Sequence, residues 1–234
     1  MPYLDWTNFQ THILQLEQEG KVTRTFRRLD PERQQAVVNA ILEEATEKGP
    51  ASLNIKEIAR RAGVSVGSLY QYFPNREGLL DFAIELCVRF TSDMFQEYRP
   101  MLASMPLKEA LNAYLMGGLE WGQTEMGLVR FFGRAAYQGD PDLAERVVRP
   151  IATVMRETLQ EILTQAKARG EIRSEVDVET ATRIVNALII AVGDCQLLPY
   201  LNNYFQISGD GVPPEQMMAA LVEFILYGIG TETK

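Results

Sequence analysis

Gln71 is the side chain best suited to sequence-specific recognition. Its amide sets a donor beside an acceptor, the pattern that the N6/N7 edge of adenine completes. Around it stand Val66, Gly67, Ser68, Tyr70 and Tyr72, small at one end and polar-aromatic at the other. Gly67 and Ser68 let a backbone approach closely, and the Tyr70 and Tyr72 hydroxyls suit phosphate oxygens. Lys56, Arg60, Arg61 and Arg76 supply countercharge nearby. Asn54 and Ser65 are capping residue types, and the helices they open present backbone N–H groups to phosphate. This is chemistry for gripping duplex DNA, not for making bonds.

Residue types for catalysis are sparse. The single histidine, His12, falls in a segment expected to be exposed or outside the main core. No HExxH, paired CxxC, GxSxG or phosphate-binding glycine loop is present, so we expect no enzyme activity, no catalytic residue, no metal and no cofactor. Cys87 and Cys195 lie in apolar helical stretches and read as small buried hydrophobes in a reducing compartment.

The elements that hold Gln71 outward follow from periodicity. Asp30 and Pro31 read as cap and first residue of a helix whose Val37, Val38, Ile41, Leu42 and Ala45 share one face, ending at Gly49-Pro50. Asn54 with Glu57 forms a capping box for the next helix, on which Ile55, Ile58, Ala59 and Ala62 make one stripe. Gly63 supplies a tight turn and Ser65 caps a third helix, with Leu69 and Phe73 inward and Val66, Gly67, Ser68, Tyr70, Gln71 and Tyr72 outward. Together these form a helix-turn-helix, whose last helix has the width of the DNA major groove. The competing reading is a tight helical corner in a larger domain.

Ahead of this unit, Trp6, Phe9, Ile13 and Leu16 predict a short amphipathic helix. The stretch "KVTRTFRR" that follows is either a minor-groove arm through Arg24, Arg27 and Arg28 or a solvated linker. Beyond Arg76 we expect helices at about 76–99, 107–121, 125–137, 141–169, 177–201 and 214–229, broken at Pro100, Pro106, Gly139-Asp140-Pro141, Gly170 and "SGDGVPP". The fold class is all-α. Its parts are an N-terminal extension (1–28), the helix-turn-helix (29–76) and a larger helical region (77–234).

Charge is distributed to match. The chain of 234 residues has a formal net charge of -8, yet residues 21–76 carry ten Lys/Arg against six Asp/Glu. Local charge decides what a surface binds. The start "MPYLDWTNFQ" lacks the basic, apolar pattern of a secretory signal, and the longest apolar run, Asn186 to Val192, is too short to span a bilayer. We therefore expect a cytoplasmic protein with no membrane partner.

The stretch "IKEIARRAGVSVGSLYQYFPNREGLL" closely resembles the signature of the TetR family of bacterial transcriptional regulators, whose core reads IA-x-x-AGVS-x-G-(S/T)-LY-x-(Y/H)F-x-(N/S)-(K/R)-x-x-LL. The resemblance implies that Val66–Phe73 is the recognition helix, that Asn54 caps the preceding helix and touches phosphate, that Tyr70 and Tyr72 meet backbone or bases, and that Arg76 meets a phosphate. Val66 departs from the usual Lys, Arg or Pro and offers only apolar contact, as to a thymine methyl. Pro50 replaces a frequent aromatic, and the helix near 6–16 precedes the usual family start.

The resemblance also implies a ligand-sensing, dimerising second domain and, by family default, a repressor released from its operator by a small effector. The alternative is a regulator or architectural protein without small-molecule control. Ala181, Leu188, Ala191, Val192, Ala220, Leu221, Phe224 and Gly228 are candidates for a helix-pair interface that forms a four-helix bundle in a homodimer. Met94, Tyr98, Met101, Trp121, Phe131, Phe132, Tyr137 and Met155 suit either an apolar effector cavity or an ordinary core. Asp194, in "IIAVGDCQLLPY", needs a partner if buried: an effector group, an arginine or water.

Overall fold

The computed structural model describes residues 6–124, 126–207, 209 and 212–231. The expected all-α class is found. Glu125, where one helix was expected to begin, and Ser208, Asp210 and Gly211 of the expected break lie outside the described residues. The chain groups into two compact units, Met1–Ser92 with Thr124–Ile151 and Asp93–Gln123 with Ala152–Lys234.

The first unit begins with α1 (Trp6–Gln18), and Phe9, Ile13 and Leu16 on its inner stripe are fully buried. His12 corrects the expectation made for it. It is buried, its ring edge-on to Phe90 at 6.4 Å. The basic stretch is neither an arm nor a linker. It folds as α2 (Arg24–Arg27), capped by Thr23 and anchored by Phe26, which is completely buried. The extension thus belongs to the core of this unit. Helix α3 (Pro31–Lys48) starts at Asp30, whose carboxylate accepts from the Arg33 N–H at 3.0 Å, and stops at Gly49 with φ 88°. A 3-10 turn at Pro50–Ser52 leads to α4 (Ile55–Arg61), then α5 (Val66–Tyr72).

Helix α6 (Arg76–Ser104) runs through Pro100, where a break was expected. Proline removes one N–H bond, but the carbonyl it orphans, four residues back at exposed Gln96, is open to water. The buried Leu102 and Ala103 beyond it hold the last turn in place. After α7 (Leu107–Thr124) comes α8 (Met126–Tyr137), which returns to the first unit and lies along α3. Gly127 permits this approach, since a Cβ there would sit 3.1 Å from the Leu42 side chain. Further along, Arg134 donates to the Thr46 carbonyl at 2.9 Å. Asp140 caps α9 (Pro141–Leu143), and a π-helical turn at Ala144–Val148 interrupts the single helix expected there.

The second unit contains α10 (Arg149–Ala168) from Ala152 onward, α11 (Val178–Leu197), a 3-10 turn at Pro199–Leu201, α12 (Asn202–Phe205) and α13 (Pro214–Ile229). Pro199 ends α11 before the expected residue 201, because its ring excludes the preceding residue from helical geometry. Leu111, Leu159, Ile162, Leu163, Val185 and Ile225 are central to its core. α11 and α13 pack together. Ala181, Val192 and Leu221, placed by the sequence at an interface between subunits, instead face this subunit's own core, and Leu188 packs partly against it. The outward face carries Ile184, Ala220, Phe224, Tyr227 and Gly228, with Phe224 66% and Tyr227 85% exposed. Among the described residues no single helix is long and apolar enough to cross a membrane.

Candidate nucleic-acid interface

The interface is built from short-range rules. Asn54 Oδ1 accepts from the Lys56 and Glu57 N–H groups at 3.0 and 3.4 Å and so starts α4. The capping box is only half formed. The Glu57 carboxylate turns to Arg60 at 2.6 and 3.0 Å and to Arg61 at 3.1 Å instead of reaching back. Guanidinium groups are stronger partners for a carboxylate than a neutral N–H. The Arg60 hydrogen bond is the main reason the Glu57 carboxyl is held down at about 2.

Gly63, at φ 66°, makes the left-handed turn, and Val64 N–H closes on the Ala59 carbonyl at 3.0 Å. Ser65 Oγ then accepts from Ser68 N–H at 2.9 Å and lies 2.8 Å from Ser68 Oγ. These caps occupy the N–H groups of Lys56, Glu57 and Ser68, which the sequence reading had left free for phosphate. The Ser68 hydroxyl is likewise engaged within its own turn.

Packing fixes which side of α5 faces out. Leu69 and Phe73 are buried as expected, and Phe73 lies 5.0 Å from Phe82, ring to ring. Tyr70 is 51% exposed, Gln71 and Gly67 are exposed, and Val66 is half-buried. Tyr72 is a correction. It is only 7% exposed, its ring meeting Phe26 at 5.8 Å, because α2 covers that side of the helix. The outward set is therefore Val66, Gly67, Tyr70 and Gln71.

The cations also sort differently from expectation. Arg61 is not countercharge for DNA. Its side chain is 15% exposed and sits among Glu43, Glu44, Glu47 and Glu57 at 2.6 to 3.5 Å. The Glu47 hydrogen bond leads the effects that push its pKa above the ordinary range. Arg60 is exposed but paired with Glu57. Arg76 is exposed and donates through Nε to the Leu53 carbonyl at 3.0 Å, which holds it at the foot of α6. Lys56 is exposed and has no ion pair among the described residues.

Thr23 and Phe26 were missed. Thr23 Oγ1 donates to the Gln71 carbonyl at 2.6 Å and Thr23 N–H to the Tyr72 carbonyl at 2.9 Å, so α2 closes the C-terminal end of α5. The available signal was a capping threonine followed by a phenylalanine three residues on, with Val22 and Phe26 at i, i+4.

The residues suggested for an effector cavity are divided between the units. Phe131 is fully buried in the core of the first, Phe132 is half-buried and Tyr137 is exposed there. In the second, Met94, Trp121 and Met155 are half-buried and Tyr98 and Met101 exposed. Asp194 is buried on α11. Burial first, and its charge second, push the Cys195 thiol up.

A helix-turn-helix with an outward polar α5, in an otherwise helical chain, defines a DNA-binding regulator. Residues 37–82 match the model of bacterial regulatory proteins of the tetR family, and residues 107–192 match a tetracyclin repressor-like C-terminal domain. The chain belongs to the tetR family. It is 26% identical over 140 residues to the HTH-type transcriptional repressor KstR2 of Rhodococcus jostii, covering 59% of this chain and 67% of that protein. Other curated relatives are matched over 48% to 60% of their length. Among solved structures, a TetR family transcriptional regulator from Chloroflexus aurantiacus superposes with TM-score 0.64 at 18% identity, over 90% of this chain and 99% of that one. FadR from Bacillus subtilis, in complex with stearoyl-CoA, gives 0.62 at 21% identity, over 84% and 99%.

Proposed function

We propose that the protein is a cytoplasmic homodimeric repressor that reads an operator with α5 and leaves it when a small, largely apolar effector binds. The observation that carries the DNA reading is the capped α5, held by Leu69 and Phe73 with Tyr70 and Gln71 outward. Gln71 reads a base, Val66 and Gly67 allow close approach, and Asn54, Lys56, Ser65, Tyr70 and Arg76 meet the backbone, while Ser68 completes the cap that starts α5. Tyr72 contributes by fixing the helix against α2.

Residues 29–76 form the DNA-binding element, and 77–234 supply effector binding and dimerisation. The outward face of α11 and α13, with Ile184, Phe224 and Tyr227, supports pairing with a second copy. Two recognition helices then address half-sites ~34 Å apart, one turn of DNA. A relative in structure that carries stearoyl-CoA supports an apolar effector class, for which Met94, Tyr98, Met101, Trp121, Met155 and Asp194 are the candidates. Helix α6 contributes buried residues to both units, Leu79 and Phe82 to one and Leu102 to the other, which suits it to couple them. The effector acts only through its preference for one helix spacing, a coupling of about 1–3 kcal/mol.

The test is binding to duplexes selected from a random library by the wild-type protein, against unselected duplex. Gln71→Ala is expected to lower discrimination about tenfold, within the ~1–3 kcal/mol of a bidentate base contact, while leaving unselected duplex little changed. Lys56→Ala should weaken both alike. Equal losses for Gln71→Ala on every sequence would remove it as the base reader.

A further inference from the structure

We propose that the exposed surface formed by Arg24 of α2 and Arg28 at its C-terminal cap is a second DNA-contacting surface that grips backbone phosphates beside the groove α5 enters. The proposal rests on α5 being the groove-reading helix. Its first support is attachment. Thr23 donates to the Gln71 and Tyr72 carbonyls, and Phe26 packs its ring on Tyr72, so α2 is fastened to the end of α5 at which Gln71 stands. What α5 approaches, α2 approaches too.

The second support is charge. Arg24 and Arg28 lie four residues apart, one helical turn, and both are exposed. Neither has an ion pair or a side-chain hydrogen bond among the described residues. Arg27 between them turns aside to Glu17. The contrast with the helix-turn-helix is informative, because Arg60 and Arg61 there are matched by carboxylates and leave few cations uncommitted. A pair of unmatched arginines held rigidly beside a recognition helix has phosphate oxygens as its natural complement. Because Phe26 already fixes α2, binding need not order the backbone here, unlike a flexible basic arm.

The experiment measures affinity against salt concentration on selected and unselected duplex, for the wild type and the paired variants Arg24→Gln/Arg28→Gln and Arg24→Lys/Arg28→Lys. Both positions are exposed, so folding is retained, and far-ultraviolet circular dichroism checks it. Each phosphate contact contributes about 0.9 to the slope of log K against log salt. Each subunit of the dimer brings two arginines, so the glutamine pair should flatten the slope by about 3.6 per bound dimer on both duplexes, and the lysine pair should restore most of it. A glutamine pair with the wild-type slope would overturn this surface while leaving the reading of α5 intact. A wild type with no salt-sensitive binding to any duplex would overturn both.

Discussion

Phe26→Ala is expected to remove about 3–5 kcal/mol from the stability of the first unit, the range for deleting a fully buried phenylalanine. Phe26 is the hub of an aromatic cluster. Its ring centroid lies 5.8 Å from Tyr72, 5.5 Å from Phe73 and 5.5 Å from Phe82. Deleting it loses transfer free energy and leaves a cavity whose walls belong to α5 and α6. Neither helix can close on it without disturbing the other, because Phe73 also packs against Phe82. DNA binding should fall as well, since α2 would no longer hold the end of α5. Urea unfolding checks the first effect, and binding to selected duplex below the transition checks the second. Phe26→Leu should recover most of the stability. A loss under about 1 kcal/mol for the alanine variant would mean that α2 is not integral to the core.

Arg61→Ala is the other large effect, and its cause is electrostatic. Glu44 is fully buried on α3, and Arg61 approaches it at 3.4 Å. The same guanidinium also serves Glu43, Glu47 and Glu57. Removing it leaves a buried carboxylate without its countercharge and several like charges close together. Breaking such a pair is destabilising, because the carboxylate left behind stays out of water without its partner. The cost lies chiefly in the stranded Glu44, so Glu44→Gln added to Arg61→Ala should return a large part of it. Thermal unfolding of the two single variants and the double variant measures the coupling. Simple additivity would show that the exposed partners, not Glu44, dominate.

These two residues also mark the limit of what the sequence discloses. The path from Asn54 to Phe73 was legible because its rules act within a few residues: a cap, a stripe of Ile58 and Ala59, a left-handed Gly63, a second cap at Ser65. Tyr72 was misplaced because its neighbour is Phe26, far away in sequence, and periodicity within α5 cannot report what covers it. Arg61 was misread for a similar reason. A count of charges recorded a cation, but Glu47 and Glu44 come to it from another helix. The sign was visible and the partner was not. Pro100 was read as a stop because local rules say so, whereas the buried Leu102 and Ala103 beyond it carry α6 onward. For the effector residues, the bulk that suits a cavity also suits a core, and Phe131 is a core residue.

The central claim is that the outward face of α5 lies in the major groove. Amide hydrogen exchange, followed with and without a duplex selected by the protein, tests it most directly. The account predicts slowed exchange over residues 65–76, accompanied by residues 23–28, when duplex is present. Protection confined to other segments, with residues 65–72 exchanging as fast on DNA as off it, would contradict it.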